Sequence, residues 1–203
     1  LKKHYKDASN LNARAQIHER FSTNQYGWLR WVFHQLRVPE NGRILELGCG
    51  PGRLWAENSD RLAKDWDITL TDFSPGMLDE ARATLEDTDR SYRFEAVDAQ
   101  SIPFEDQSFD AVIANHMLYH VPNRQKAYAE IHRVLKPSGC LHAATNGKAA
   151  LRELMDQAES LKPDAYGDLK DGQVFNLENG RDELSKWFGE EQVRLYEDSL
   201  EVT

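Results

Sequence analysis

Two periods alternate in the hydrophobic pattern of this chain. Short apolar runs recur at residues 44–47, 66–71, 92–97, 109–115 and 140–145, each of strand length and each closed by a glycine or a polar residue. Between them apolar residues return every three or four positions, most clearly Met77, Leu78, Ala81 and Leu85, the stripe of a helix lying on a core. Strands alternating with helices at this spacing imply βαβ units and a parallel sheet covered on both faces. Right-handed crossovers then give an α/β fold with a doubly wound, mostly parallel, Rossmann-like sheet.

The flanking elements follow from the same pattern. Residues 1–9 are polar and read as loose. Residues 10–36 suit two helices, with Ile17, Phe21, Trp28, Leu29, Trp31, Val32, Phe33 and Leu36 as apolar positions and Ser22-Thr23-Asn24 as N-cap chemistry between them. The Trp-rich second helix reads as core packing. A helix continues over 54–62, another starts at Ser74-Pro75, and a third spans 124–135 before Lys136-Pro137-Ser138-Gly139. Residues 149–161 and 181–188 look helical and 162–179 mixed, while 192–202 alternate as a sixth strand. The expected organisation is a helical cap at 1–41, a core at 42–146, a lid insertion at 147–190 over the carboxyl edge of the sheet, and the sixth strand at 191–203.

Composition narrows the class. At 40% hydrophobic and 29% charged, a chain of 203 residues is globular with room for a substantial core. With 25 Lys plus Arg against 34 Asp plus Glu, its net charge of −9 speaks against nucleic acid or an anionic membrane surface as main partner. Two cysteines, Cys49 and Cys140, are too few for a disulfide framework and fit a reduced, cytoplasmic protein. No apolar run approaches the roughly 20 residues that cross a bilayer, and no signal-peptide pattern is visible.

The chemistry concentrates where the first strand ends, at Glu46-Leu47-Gly48-Cys49-Gly50-Pro51-Gly52-Arg53. Three glycines in five positions let the backbone turn sharply against a ligand, and the next helix points its free N–H groups into the same space. In a parallel sheet Gly48, Asp72, Asp98 and Asn115 all reach one crevice at the strand carboxyl ends. Asp72, 20 residues after Gly52, is placed for two ribose hydroxyls, and Asp98 for an adenine amino group. The dinucleotide fingerprint needs its third glycine where Arg53 stands, and Glu46 is a poor neighbour for a pyrophosphate but a good one for an ammonium group. A cationic, phosphate-free adenosine ligand is expected.

On these residues the chain resembles the class I S-adenosylmethionine-dependent methyltransferases of the small "type 11", quinone-methyltransferase-like kind, from about residue 42 to 141. Glu46 to Gly52 resembles the family's first motif, Asp72-Phe73-Ser74-Pro75-Gly76-Met77-Leu78 the second, and Asp98-Ala99 the third. Phe109-Asp110 through His120-Val121 resembles the fourth strand and its exit, and Leu135 to Gly139 the turn into strand five. The resemblance implies S-adenosyl-L-methionine as cofactor, held by Glu46, Gly48, Cys49, Gly50, Gly52, Asp72, Phe73, Met77, Asp98, Ala99 and Asn115, with Phe73 and Met77 flanking adenine. The family sheet has a seventh, antiparallel strand that is not seen after residue 202: either the sequence is a piece of a longer one or the sheet is completed another way, an unfilled slot being a route to a homodimer.

The implied reaction is in-line transfer of a methyl group to a small-molecule acceptor, in which the protein mainly holds the reactants together. His116, Tyr119 and His120, just past the fourth strand, are the catalytic candidates if a base is needed, with a structural hydrogen bond favoured for His120. Asp110 opens its strand and reads as structural, and no metal set is spaced in the sequence. His18, Arg20, Phe21 and Tyr26 read either as a lid over the cofactor or, for the apolar members, equally as packing, and none is expected to be catalytic. The alternatives are a non-catalytic or regulatory S-adenosylmethionine-binding protein and an NAD-dependent oxidoreductase, the latter opposed by the glycine spacing. A base-amino nucleic-acid methyltransferase would need an Asn/Asp-Pro-Pro-Tyr/Phe motif where Asn115-His116-Met117-Leu118 stands.

Overall fold

The computed structural model describes residues 9–150, 152–161 and 175–201. Residues 1–8, most of the mixed stretch at 162–179 and Val202 of the expected sixth strand lie outside the described residues.

Five strands, β1 (Arg43–Leu47), β2 (Asp67–Asp72), β3 (Arg93–Ala96), β4 (Phe109–Asn115) and β5 (Leu135–Ala144), form one sheet in the order β3-β2-β1-β4-β5. Every pairing is parallel. The chain runs outward from β1 through β2 to β3 and then returns to β4 on the other side of β1. The reversal opens a crevice at the carboxyl ends of β1 and β4.

Alternation along β1 and β4 feeds two cores. Leu45, Leu47, Val112 and Ala114 face helix α5 (Arg124–Val134), meeting Tyr128 and Ile131. Ile44 and Ile113 face the opposite layer, where Val32 and Phe33 of α2 (Trp28–Gln35), Trp55 of α3 (Arg53–Ala56) and Ala81 of α4 (Pro75–Leu85) are buried. Successive strand residues point to opposite faces, so Glu46 shares the Ile44 face and meets Trp55. Before α2 lies α1 (Ser9–Phe21); after β5 come α6 (Arg152–Leu161) and α7 (Leu177–Leu184).

Three local expectations change. The helix after the glycine loop stops at Ala56 and resumes as a 3₁₀ turn at Ser59–Arg61. Buried Asn58 causes this, because its amide donates to the Leu54 carbonyl at 2.8 Å and to Leu29 O at 3.2 Å. Gly27, at φ 81, caps α2 in place of Ser22-Thr23-Asn24. Strand β5 begins five residues early, and a bulge takes up the excess between the pairs Phe109↔Leu135 and Ala111↔Cys140.

The larger correction concerns the sixth strand. Residues 192–200 do not join the sheet; their polar groups are taken by the N-terminal cap. Arg194 bonds Gln35, the Asp198 carboxylate accepts from Ser22 Oγ at 2.8 Å, and Thr23 N donates to Ser199 O at 2.9 Å. Leu200 makes a lone antiparallel bridge to Ser22. The alternation places Tyr196 against Trp28 and Trp31, at 5.3 and 5.4 Å between ring centroids, and leaves Val193 and Leu195 53% and 61% exposed. The apolar alternation is real, but it closes a strap over the cap.

Helix α7 is capped by a reciprocal pair of bonds between Asn176 and Asn179. It is fastened to α5 by Glu183, which accepts from Arg124 and from the Tyr128 hydroxyl at 2.9 Å. Burial first, then the Glu183 carboxylate, pushes the Tyr128 phenol well up.

Candidate cofactor and acceptor site

The glycine loop owes its shape to left-handed backbone at Gly48, Gly50 and Gly52. At Gly48 the space is also closed, since a Cβ there would stand 2.8 Å from Met117 Cβ. The loop is anchored by Cys49 N donating to Thr71 O at 2.9 Å and Gly50 N donating to Asp72 Oδ2 at 3.0 Å. Asp72 also accepts from Ser74 N at 2.8 Å, which ties the ends of β1 and β2 and the start of α4 into one cradle.

Glu46 is the electrostatic centre of this cradle. Its side chain is 3% exposed, and Trp55 Nε1 donates to Oε2 at 2.6 Å. Burial outweighs that bond, and Asp72 adds repulsion, so the carboxyl rises from 4.5 to about 7. Asp72 is likewise raised by burial against the N–H groups that hold it. Both carboxyls, raised mainly by burial, border an open cleft. A cationic ligand would restore both to their charged forms. Burial, Glu46 and Asp72 together push the Cys49 thiol well up, so it is an inert wall rather than a nucleophile.

The adenosine side follows from β2 and β3. Phe73 is 53% exposed at the crevice, while Met77 is buried beneath it. Val97 and Ala99 form an apolar floor around Asp98. Gln100 already donates to the Asp98 carboxylate from its backbone at 2.9 Å and from its side chain at 3.0 Å, which leaves acceptor capacity for one more donor. The residues present therefore fit a phosphate-free, cationic adenosine group. Expected residues Glu46, Gly48, Cys49, Gly50, Asp72, Phe73, Met77, Asp98, Ala99 and Asn115 line one crevice; Gly52 instead packs against α4, where a Cβ would meet Leu85 Cδ1 at 3.0 Å.

The crevice continues past Asn115 toward α1, α2 and the strap, with His18, Trp28 and Tyr196 in its lining. His116, Tyr119 and His120 border this second half. Tyr119 and His120 pack edge to face at 4.4 Å. His116 sits against Trp28 at 5.2 Å, and burial followed by the nearby His18 lowers its imidazole to about 4. Asp110 lies on the opposite edge, where Arg43 N–H and Lys136 outweigh burial and hold it below the usual carboxylate range.

Sequence reasoning missed three features here. Trp55 as the partner of Glu46 follows from strand alternation. Arg53, which replaces the third dinucleotide glycine, makes an ion pair with Glu19 of α1 and so ties the cap to the loop. Tyr196 and Asp198 of the strap carried no readable signal. Among the described residues no group of His, Cys, Asp and Glu could hold a metal, and no helix is long and apolar enough to cross a membrane.

Comparison with known proteins agrees with this geometry. Residues 44–139 match the family described as a methyltransferase domain. The chain is 35% identical over 108 residues to sterol 4-C-methyltransferase strm-1 of Caenorhabditis elegans, covering 53% of this chain and 32% of that protein. It is 32% identical over 117 residues to the demethylmenaquinone methyltransferase of Lactobacillus johnsonii, covering 57% and 48%. The chain thus spans half or less of the length of these curated relatives. In fold it is similar to a SAM-dependent methyltransferase from Aquifex aeolicus, with a TM-score of 0.54 at 16% identity over 65% of this chain and 72% of that one. From the strand-end carboxylates to the glycine cradle, residues 44–139 are similar to the methyltransferase-domain family.

Proposed function

We propose that this protein transfers the methyl group of S-adenosyl-L-methionine to a small molecule whose nucleophile sits on a ring. The observation that carries the reading is the division of the crevice. One half holds buried Glu46 and part-buried Asp72 around the glycine cradle, and the other is an open, aromatic-bordered space beyond Asn115. The names of the relatives add sterol and demethylmenaquinone as acceptors of proteins similar to this chain.

The cofactor supplies an activated methyl group on a sulfonium. Glu46 and the glycine loop would hold its amino-acid end, Asp72 its ribose, and Phe73, Met77, Ala99 and Asp98 its adenine. Asn115 and the β4 exit mark the boundary where the acceptor would lie in line with the sulfur. The cap and strap border that boundary, and holding the two reactants in attack geometry there is the protein's main task.

The reading is tested by release of S-adenosylhomocysteine when the protein meets S-adenosyl-L-methionine with 1,4-naphthohydroquinone or with a sterol. Acceptor-dependent release supports it. Tight cofactor binding with no release across both ring classes would favour a regulatory binder.

A further inference from the structure

One indole behind the cradle has a partner that core packing alone does not call for. Trp55 of α3 is fully buried, and its Nε1–H donates to Glu46 Oε2 at 2.6 Å. Among the described residues this is the one hydrogen bond that the Glu46 carboxylate accepts. Oε1 takes no bond from the described residues and is not sealed off, so it is the oxygen left for a ligand in the crevice that Glu46 lines. One oxygen is held from behind and the other is offered. The indole is itself fixed by the cap. Its ring meets Phe33 of α2 edge to face at 6.4 Å, and Asn58, just beyond α3, donates to Leu29 O of the same helix at 3.2 Å.

The chemistry of this partner matters. A buried carboxylate needs a donor to stay charged. An Arg or Lys behind Glu46 would neutralise it and repel the ammonium and sulfonium of the cofactor. An indole N–H is a donor only and carries no charge, so it favours the anion without competing for it. The titratable groups that act on Glu46 are Asp72 at the end of β2, which repels its charge, and the Cys49 thiol of the loop. Ile113 of β4, Val32 and Phe33 of α2, and Leu78 and Ala81 of α4 are apolar neighbours in the same layer. Arg53, at the start of α3, is engaged by Glu19 and Glu57. Among the described residues Trp55 is thus the one contact that favours the charged form of Glu46.

We propose that Trp55 is a positioning residue for the cofactor: its N–H turns the Glu46 carboxylate so that Oε1 meets the cofactor's ammonium group, and its ring ties that orientation to the cap helix α2. The inference rests on the S-adenosyl-L-methionine reading above. Its consequence is a displaced pH dependence. Binding the ammonium end requires an ionised Glu46, so affinity falls by up to about tenfold per pH unit below the pH at which the free carboxyl titrates. Without the indole the anion loses a charge-assisted hydrogen bond, and that pH moves up by about one unit or more. The plateau above it stays where it was, because the free and the bound carboxylate lack the bond alike.

The test compares the wild type with Trp55→Phe, which keeps a ring against Phe33 and removes the donor. Calorimetric affinity for S-adenosylhomocysteine, followed from about pH 6 to about pH 9, should reach plateaus within about threefold of each other, the variant's displaced upward by about one pH unit or more. 5′-Methylthioadenosine keeps the adenosine and the thioether but lacks the amino-acid end. Its affinity should show no such displacement, which separates Glu46 from Asp72. In the wild type, the Trp55 indole N–H resonance should shift with pH at the same midpoint as the affinity, a readout independent of how well the variant folds. Unchanged affinity in the variant, equal weakening at every pH, or an indole resonance that does not follow the titration overturns the role of Trp55. Failure of the wild type to bind S-adenosylhomocysteine refutes the cofactor reading instead, and the wild-type arm keeps the two apart.

Discussion

Replacing Glu46 by Gln should make the protein more stable and a worse cofactor binder, with both effects dependent on pH. In the absence of ligand the folded carboxyl titrates near 7 against an ordinary 4.5, because burial penalises its charge more than the Trp55 bond favours it. The sign follows from proton binding. Between these values the folded state holds a proton that the unfolded state has lost, so wild-type stability falls as pH rises from about 4.5 to about 7. At about 1.4 kcal/mol per tenfold change in proton affinity, the loss totals about 3 kcal/mol and is complete above that window. Gln is uncharged throughout and keeps an oxygen for Trp55 Nε1. The variant should therefore match wild type near pH 4 and exceed it by about 3 kcal/mol near pH 8.5, roughly 10 °C in melting temperature for a chain of this size. His116 acts with the opposite sign as pH falls from 6.5 toward about 4, so the difference between the two proteins, not either curve alone, isolates Glu46. Thermal unfolding at both pH values, without ligand, measures it. An advantage equal at both, or absent at both, would refute the reasoning. The functional half is that wild-type affinity for S-adenosyl-L-methionine rises with pH up to about 7 and flattens, whereas the variant binds weakly at every pH.

Other perturbations are expected to separate cradle from scaffold. Asp72→Ala removes the acceptor for Gly50 N and Ser74 N as well as the ribose partner, and calorimetry should find cofactor affinity lowered by at least about tenfold. Gly48→Ala forces a Cβ to 2.8 Å from Met117 in a left-handed backbone; denaturant unfolding should show a loss of about 2 kcal/mol or more. Tyr128→Phe leaves the Arg124–Glu183 pair but deletes the phenol donor to Glu183, so stability should drop by about 2 kcal/mol with cofactor affinity unchanged.

The core was legible because its signals are local. Strand length, helical stripes and the Gly48–Gly52 spacing each act over a few residues, and β4 falls at 109–115 as read from the sequence. The early stop of α3 was not legible, since it depends on Asn58 reaching Leu54 and Leu29 once the cap is in place. The strap failed for a related reason. Alternation at 192–202 is compatible with any extended partner, and pairing to the cap through Ser22 and Asp198 spans 176 residues of sequence. His116 was legible as a residue just past β4, but its left-handed backbone depends on the hydrogen bond of its N–H to Ala144 at the end of β5.

The most direct test of the central claim is calorimetric titration with S-adenosyl-L-methionine, S-adenosylhomocysteine and NAD, near pH 8, where Glu46 is charged. The account predicts saturable binding of both adenosyl ligands at one site, a marked loss in Asp72→Ala, and no comparable binding of NAD. NAD binding as tight as that of S-adenosyl-L-methionine, or adenosyl binding untouched by removal of Asp72, would contradict it.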